Sequence, residues 1–179
     1  MSGPLILPWR GKWPKIAPDA FIAPTATVIG DVEIGPLSSV WFGCILRADV
    51  NIMRIGARTN IQDGTIIHVD SGGYATLIGD DVLIGHKAMI HGTTIEDQAF
   101  IGMCATTMDG VVVESEAMVA AGALVSPGKR VGKRQLWAGM PAKYMRDLTE
   151  EQLAGMAKGV KAYAERGVEI REMIAGLKT

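Results

Sequence analysis

The chain is poor in the residues that mark most functions. Of its 179 residues only two are cysteine, Cys44 and Cys104. They match no CxxC spacing, which excludes a disulfide framework, and both read as free thiols buried in packing. Neither sign of charge is in excess: 18 Lys and Arg stand against 19 Asp and Glu. That balance leaves no electrostatic footprint for nucleic acid or for an anionic membrane. Long apolar runs are missing too. Leu5-Ile6-Leu7 is closed by Pro8, too short for a signal-peptide core. No segment approaches the ~20 apolar residues needed to span a bilayer. The expectation is one soluble, cytoplasmic domain over 1–179 that binds neither nucleic acid nor membrane. Aromatic residues make up 6% of the chain, which argues against a bulky mixed core. Gly, Ile, Val and Ala are plentiful instead and suit narrow aliphatic layers. Histidine is scarce too: there are three, His68, His86 and His91, all within one short stretch.

What the chain does have is a period of six. Aliphatic residues recur at Ile16, Ile22, Val28, Ile34, Val40, Leu46 and Ile52, then at Ile55, Ile61 and Ile67. They continue at Ile78, Ile84 and Ile90, and from Ile95 through Ile101, Val113, Val119 and Val125 to Val131. Of these twenty phased positions only Thr107 is not Ile, Val or Leu. Glycine often follows, as in Ile34-Gly35 and Ile84-Gly85, and small residues such as Ser38, Thr59 and Ala88 recur at the fifth place. Six is neither a helical period nor simple strand alternation. It fits short strands joined by tight corners, three faces closing one coil of 18 residues, with the β-branched first place pointing inward. The pattern resembles the left-handed parallel β-helix of hexapeptide-repeat proteins, and the handedness comes from that resemblance. The β-helix is expected over 16–135, with residues 1–15 wrapping the first coil. Pro141 breaks the chain after it. Thr149 and Gln152 then read as a capping box opening a C-terminal helix over 148–176, placed along the outside of the solenoid. Leu153, Met156, Val160, Tyr163, Ala164, Ile170, Met173 and Ile174 form its apolar stripe, and Gly155, Gly159 and Gly167 weaken it.

The hexad phase places the histidines. His68 and His86 are 18 apart and invite stacking, but His68 and His91 each follow an inward Ile, whereas His86 lies one place later. Eleven residues separate Ile67 from Ile78, one hexad carrying a five-residue insertion around Ser71-Gly72-Gly73-Tyr74. With that allowance His68 and His91 fall on one corner of adjacent coils, about 4.8 Å apart. His86 precedes His91 by five residues, about 16 Å of extended chain, too far for easy chelation of one ion. A second subunit supplies it more simply, and a head-to-tail contact of that kind closes a ring. Three imidazoles with an open fourth position form a catalytic zinc ligand set, and a triangular prism suggests a trimer with three such sites.

The segments Leu46-Arg47-Ala48-Asp49, Asn60-Ile61-Gln62-Asp63-Gly64, His68, Gly85-His86 and Ile90-His91-Gly92 resemble those of the γ-class carbonic anhydrases and their bacterial γ-carbonic-anhydrase-like relatives. The resemblance implies that His68, His86 and His91 hold zinc, or iron or cobalt in its place, between subunits of a homotrimer. It implies that Gln62 hydrogen-bonds the water on the metal and that Arg47 pairs with Asp63 across the interface. Asp49 and Asn60 would lie in the same surround, with Tyr163 near the pocket. The implied reaction is reversible hydration of CO2 to bicarbonate, which needs hydroxide at neutral pH; zinc lowers the pKa of its water from 15.7 to about 7. The glutamates that carry the proton away in the family are absent: Val50 follows Asp49, and the insertion has only Asp70 beside it. A slow hydratase is therefore expected. Two alternatives remain open at this point. One is a hexapeptide acyltransferase or a CoA-thioester hydrolase. The other is a non-catalytic trimeric assembly or binding protein.

Overall fold

The computed structural model describes residues 3–177. Most strands are two or three residues long and alternate with turns from the first coil to the last. They build a parallel β-solenoid of about seven turns with one C-terminal helix. Eight strands form one face, running from Phe21–Ile22 through Ser39–Val40, Asn60–Ile61 and Leu83–Ile84 to the terminal hairpin. The other twelve form a sheet folded across a corner, because Thr27–Ile34 and Ile45–Ile55 each continue from one face onto the next.

Inside the prism the phased residues stack as their spacing requires. Val28, Leu46, Ile67 and Ile90 are fully buried, as are Val40, Ile61, Ile84 and Ile101. Parallel β-branched columns of this kind exclude water from every coil, and that apolar burial is the main favourable term in the fold. One phased position is corrected. Ile52 is only half-buried, and Met53 takes the inward place. The cause is a bulge: residues 49–52 stand opposite Asp31 alone, since Gly30 pairs with Ala48 and Val32 with Met53. The extra residues are expelled from the prism, and the next inward place shifts.

Several corners are turned by residues other than glycine. Leu37, Arg58, Asp81, Gln98, Glu116 and Arg134 all adopt left-handed φ between 54 and 62°. Cys104 occupies another such corner at φ 58°. It points outward and is exposed, so the expectation of two buried thiols holds for Cys44 only.

At the start of the chain Leu5–Leu7 pairs in parallel with the strand that begins at Thr27, and a tight bridge joins Trp9 and Lys12. At the other end Gln135–Gly139 makes the last parallel pairing, and Ala142–Asp147 folds back antiparallel across the open edge. The helix Glu150–Gly176 opens on the full Thr149/Gln152 capping box. It lies on the eight-stranded face, with Met156, Val160 and Gly167 buried. Gly167 permits close approach: a Cβ there would lie 3.2 Å from Ser39 Cβ. Met173, counted in the apolar stripe, is exposed.

Candidate metal centre

Arg47, His68 and His91 are direct register partners on three successive coils. The insertion after His68 leaves the ladder at this corner and rejoins it at Thr76–Ile78, so the offset inferred from sequence is the observed one. His68 Nδ1 faces His91 Nε2 at 3.0 Å. Their other nitrogens are engaged: His68 Nε2 lies 2.8 Å from Asp49 Oδ1, and His91 Nδ1 2.5 Å from Asp109 Oδ1. A carboxylate accepts, so a neutral ring that donates its outer N–H to one keeps a lone pair on the inner nitrogen. Two lone pairs then point at each other, a contact that a shared cation relieves.

Buried threonines hold the backbone of this corner. Thr76 Oγ1 donates to the His68 carbonyl at 2.6 Å, and Thr93 Oγ1 to that of His91 at 2.8 Å. Thr107 meets Thr93 at 3.0 Å, oxygen to oxygen, inside the prism. The single polar residue among the phased positions thus pairs with the threonine behind His91. The bulge at 49–52 carries Asp49 out to the His68 ring, and Asn51 ties it to the insertion by donating to the Asp70 carbonyl at 3.2 Å.

His86 sits on a corner after Leu83–Ile84, with 42% of its side chain exposed. Its Nδ1 lies 3.0 Å from Asp63 Oδ2, which leaves Nε2 free. Among the described residues of one chain no three His, Cys, Asp or Glu side chains converge to hold an ion. The three imidazoles therefore form a pair and a single, the division expected from their phase.

The remaining site residues fall into two groups. Gln62 is 6% exposed, and its amide makes no hydrogen bond to the described residues. Arg47 pairs within the chain with Asp49, and Asp63 with His86; an Arg47–Asp63 pair would have to join two chains. Burial raises the Asp49 carboxyl, but hydrogen bonds from His68 and Arg47 outweigh it, so the group lies below the usual aspartate range and is held ionised. Asn60 and Tyr163 belong to the layer between sheet and helix. Asn60 Nδ2 donates to Ser39 Oγ at 2.8 Å, and its buried Oδ1 has no partner among the described residues. Tyr163 packs edge-on against Trp41 with ring centroids 5.8 Å apart. Asp109 went unnoticed in the sequence. Its signal was there: it follows His91 by 18 residues, the length of one coil.

The donor set fits a zinc ion. Two nitrogens on a tetrahedral ion at Zn–N ~2.0–2.1 Å are about 3.3 Å apart, close to the spacing seen, and all three imidazoles have a carboxylate on the far nitrogen, the usual support of a zinc-bound histidine.

Fold and site together define a hexapeptide-repeat solenoid protein carrying a histidine–carboxylate cluster. The model for the hexapeptide repeat of succinyl-transferase matches residues 76–103 and 92–127. A carbonic anhydrase of Geobacillus kaustophilus is 40% identical over 91% of this chain and 89% of its own length. γ-Carbonic anhydrase 2 of Arabidopsis mitochondria is 52% identical over 85% of this chain. The chain spans 56–61% of the plant relatives' own length. Among solved structures, a Bacillus cereus protein described as a candidate acetyltransferase superposes with a TM-score of 0.94 at 38% identity, covering 96% of this chain and 99% of that one. The chain belongs to the γ-class carbonic anhydrase family of hexapeptide-repeat proteins.

Proposed function

We propose that the protein is a zinc-dependent carbonic anhydrase of the γ class that hydrates CO2 reversibly to bicarbonate. It acts as a homotrimer, with His68 and His91 of one subunit and His86 of a neighbour around each ion. The observation that carries this reading is the approach of His68 Nδ1 to His91 Nε2 at 3.0 Å, with a carboxylate on the opposite nitrogen of each ring. When bound, zinc supplies a Lewis acid that brings the ionisation of water from a pKa of 15.7 to about 7.

The chain's own residues do the rest. Asp49 and Asp63 each stand behind an imidazole and favour one tautomer, and neutral imidazoles leave the charge of the ion undiminished. Gln62 carries no charge and has its amide unpaired within the chain, so it can orient water or a CO2 oxygen without competing for the ion. Arg47, held by Asp49, places a positive charge on the same ladder, where it favours the bicarbonate anion.

Proton export limits the rate. Val50 is exposed where a carboxylate would serve, and Asp70 has its Oδ2 taken by the Gly72 N–H at 2.6 Å. We therefore infer slow turnover. Stopped-flow CO2 hydration on zinc-loaded protein should give a rate above buffer that rises with the concentration of an imidazole buffer. Stoichiometric zinc with no rate above buffer would remove the hydratase assignment. Acyl transfer is the second reading, favoured by the description of the Bacillus cereus structure. Among the described residues the loop available to cover an acyl carrier is the short insertion at 70–75. Acetyl-CoA consumption in the presence of amine or alcohol acceptors would support that reading instead.

A further inference from the structure

Asp109 differs from the aspartates that cap the corners. Asp80 and Asp97 cap turns, accepting the backbone N–H groups of Ala57 and Asp80 at 2.8 Å. Among the described residues the only hydrogen-bond partner of the Asp109 side chain is the His91 ring. Its seat is shaped for that contact. A Cβ on Gly92 would lie 2.5 Å from Asp109 Oδ1 and 3.0 Å from Tyr74 Cβ. A Cβ on Gly110 would lie 2.9 Å from the Tyr74 ring. Gly92 and Gly110 thus leave room for a carboxylate and for the tyrosine of the insertion loop. Tyr74 stands beside these two glycines, and Asp109 and His91 keep 32% and 25% of their side chains exposed. A hydrogen bond to a carboxylate strengthens as water is excluded.

We propose that Asp109 is a positioning residue for His91. It accepts the Nδ1–H, which fixes the ring in the tautomer and orientation that turn Nε2 toward His68. Gly92 accommodates it, and Gly110 leaves room for Tyr74 beside it. The inference rests on the metal reading for its consequence, tighter zinc, but the ring state is a property of the metal-free chain.

The test has two readouts. In metal-free protein, 15N chemical shifts of the imidazole nitrogens should show His91 protonated at Nδ1. Asp109→Ala should shift His91 toward the other tautomer, whereas Asp109→Asn, whose amide oxygen still accepts, should preserve it. Zinc affinity measured by chelator competition should fall about 10–100-fold in Asp109→Ala, the range for loss of a partner behind a ligand, and by less in Asp109→Asn. Asp109→Leu, similar in size and without an acceptor, replaces the alanine variant if that one does not fold. An unchanged His91 tautomer in a folded Ala or Leu variant overturns the proposal. If wild type shows the stated tautomer yet binds no zinc, the metal reading fails and the positioning role stands.

Discussion

Thr107 interrupts a column that is otherwise aliphatic, and the reason lies one coil earlier. It meets Thr93, whose hydroxyl donates to the His91 carbonyl. Thr93→Val removes the donor to that carbonyl and should cost about 1–2 kcal/mol in thermal or urea unfolding. Thr107→Val restores the aliphatic pattern, leaves that donor in place, and should cost less. Equal losses in the two variants would mean that the carbonyl contact is not what matters. The two cysteines differ in the same residue-level way. Burial pushes the Cys44 thiol from an ordinary 9.0 up to about 11, while Cys104 is exposed on its corner. Alkylation requires the thiolate. At pH 8 iodoacetamide should therefore label Cys104 and spare Cys44 in the folded protein, as read by peptide mass. The raised pKa also has a sign for stability. The folded state holds the proton more tightly, so this contribution is complete below the unfolded value near 9. It declines as pH rises toward 11.

Among the elements, the helix Glu150–Gly176 separates glycines that serve packing from those that do not. Gly167 faces Ser39 at close range, and Gly159 faces Leu83, where a Cβ would lie 2.9 Å from Cδ1. Gly155 meets nothing within 4 Å. Gly155→Ala should raise stability by about 1 kcal/mol through helix propensity alone. Gly167→Val should lower it by about 1–3 kcal/mol by forcing the helix off the sheet. Chemical denaturation would check both, and a stabilising Gly167→Val would contradict the packing described. The strand Ile45–Ile55 makes a similar point in the sheet. Its bulge moved the inward place from Ile52 to Met53 and brought Asp49 to His68. A six-residue count has no means of registering residues expelled at a corner.

Across the whole molecule, the decisive claim is that each site is shared between chains. His86→Ala and His91→Ala should each abolish zinc binding in homogeneous protein. In a co-expressed mixture, every ring containing both variants has one junction where an intact His68/His91 pair meets an intact His86. Each mixed trimer should therefore regain a single zinc, measurable by metal analysis of dual-tagged protein. No recovery in isolated mixed trimers would rule out the shared arrangement.

The solenoid was legible in the order of residues because β-branched stacking repeats at a short, local interval, and each coil imposes the same requirement as the one before. The pairing of His68 with His91 was legible for the same reason, once the insertion between Ile67 and Ile78 was treated as outside the repeat. The capping box was equally local. Side-chain choices at the corners were not legible. Arg47 turning to Asp49, Asp63 to His86, and Asp109 to His91 depend on the direction in which each corner aims its side chain. Those directions follow from left-handed turns, a bulge and an outlying loop, whose effects act between coils across 18 or more residues and leave no mark on the period itself.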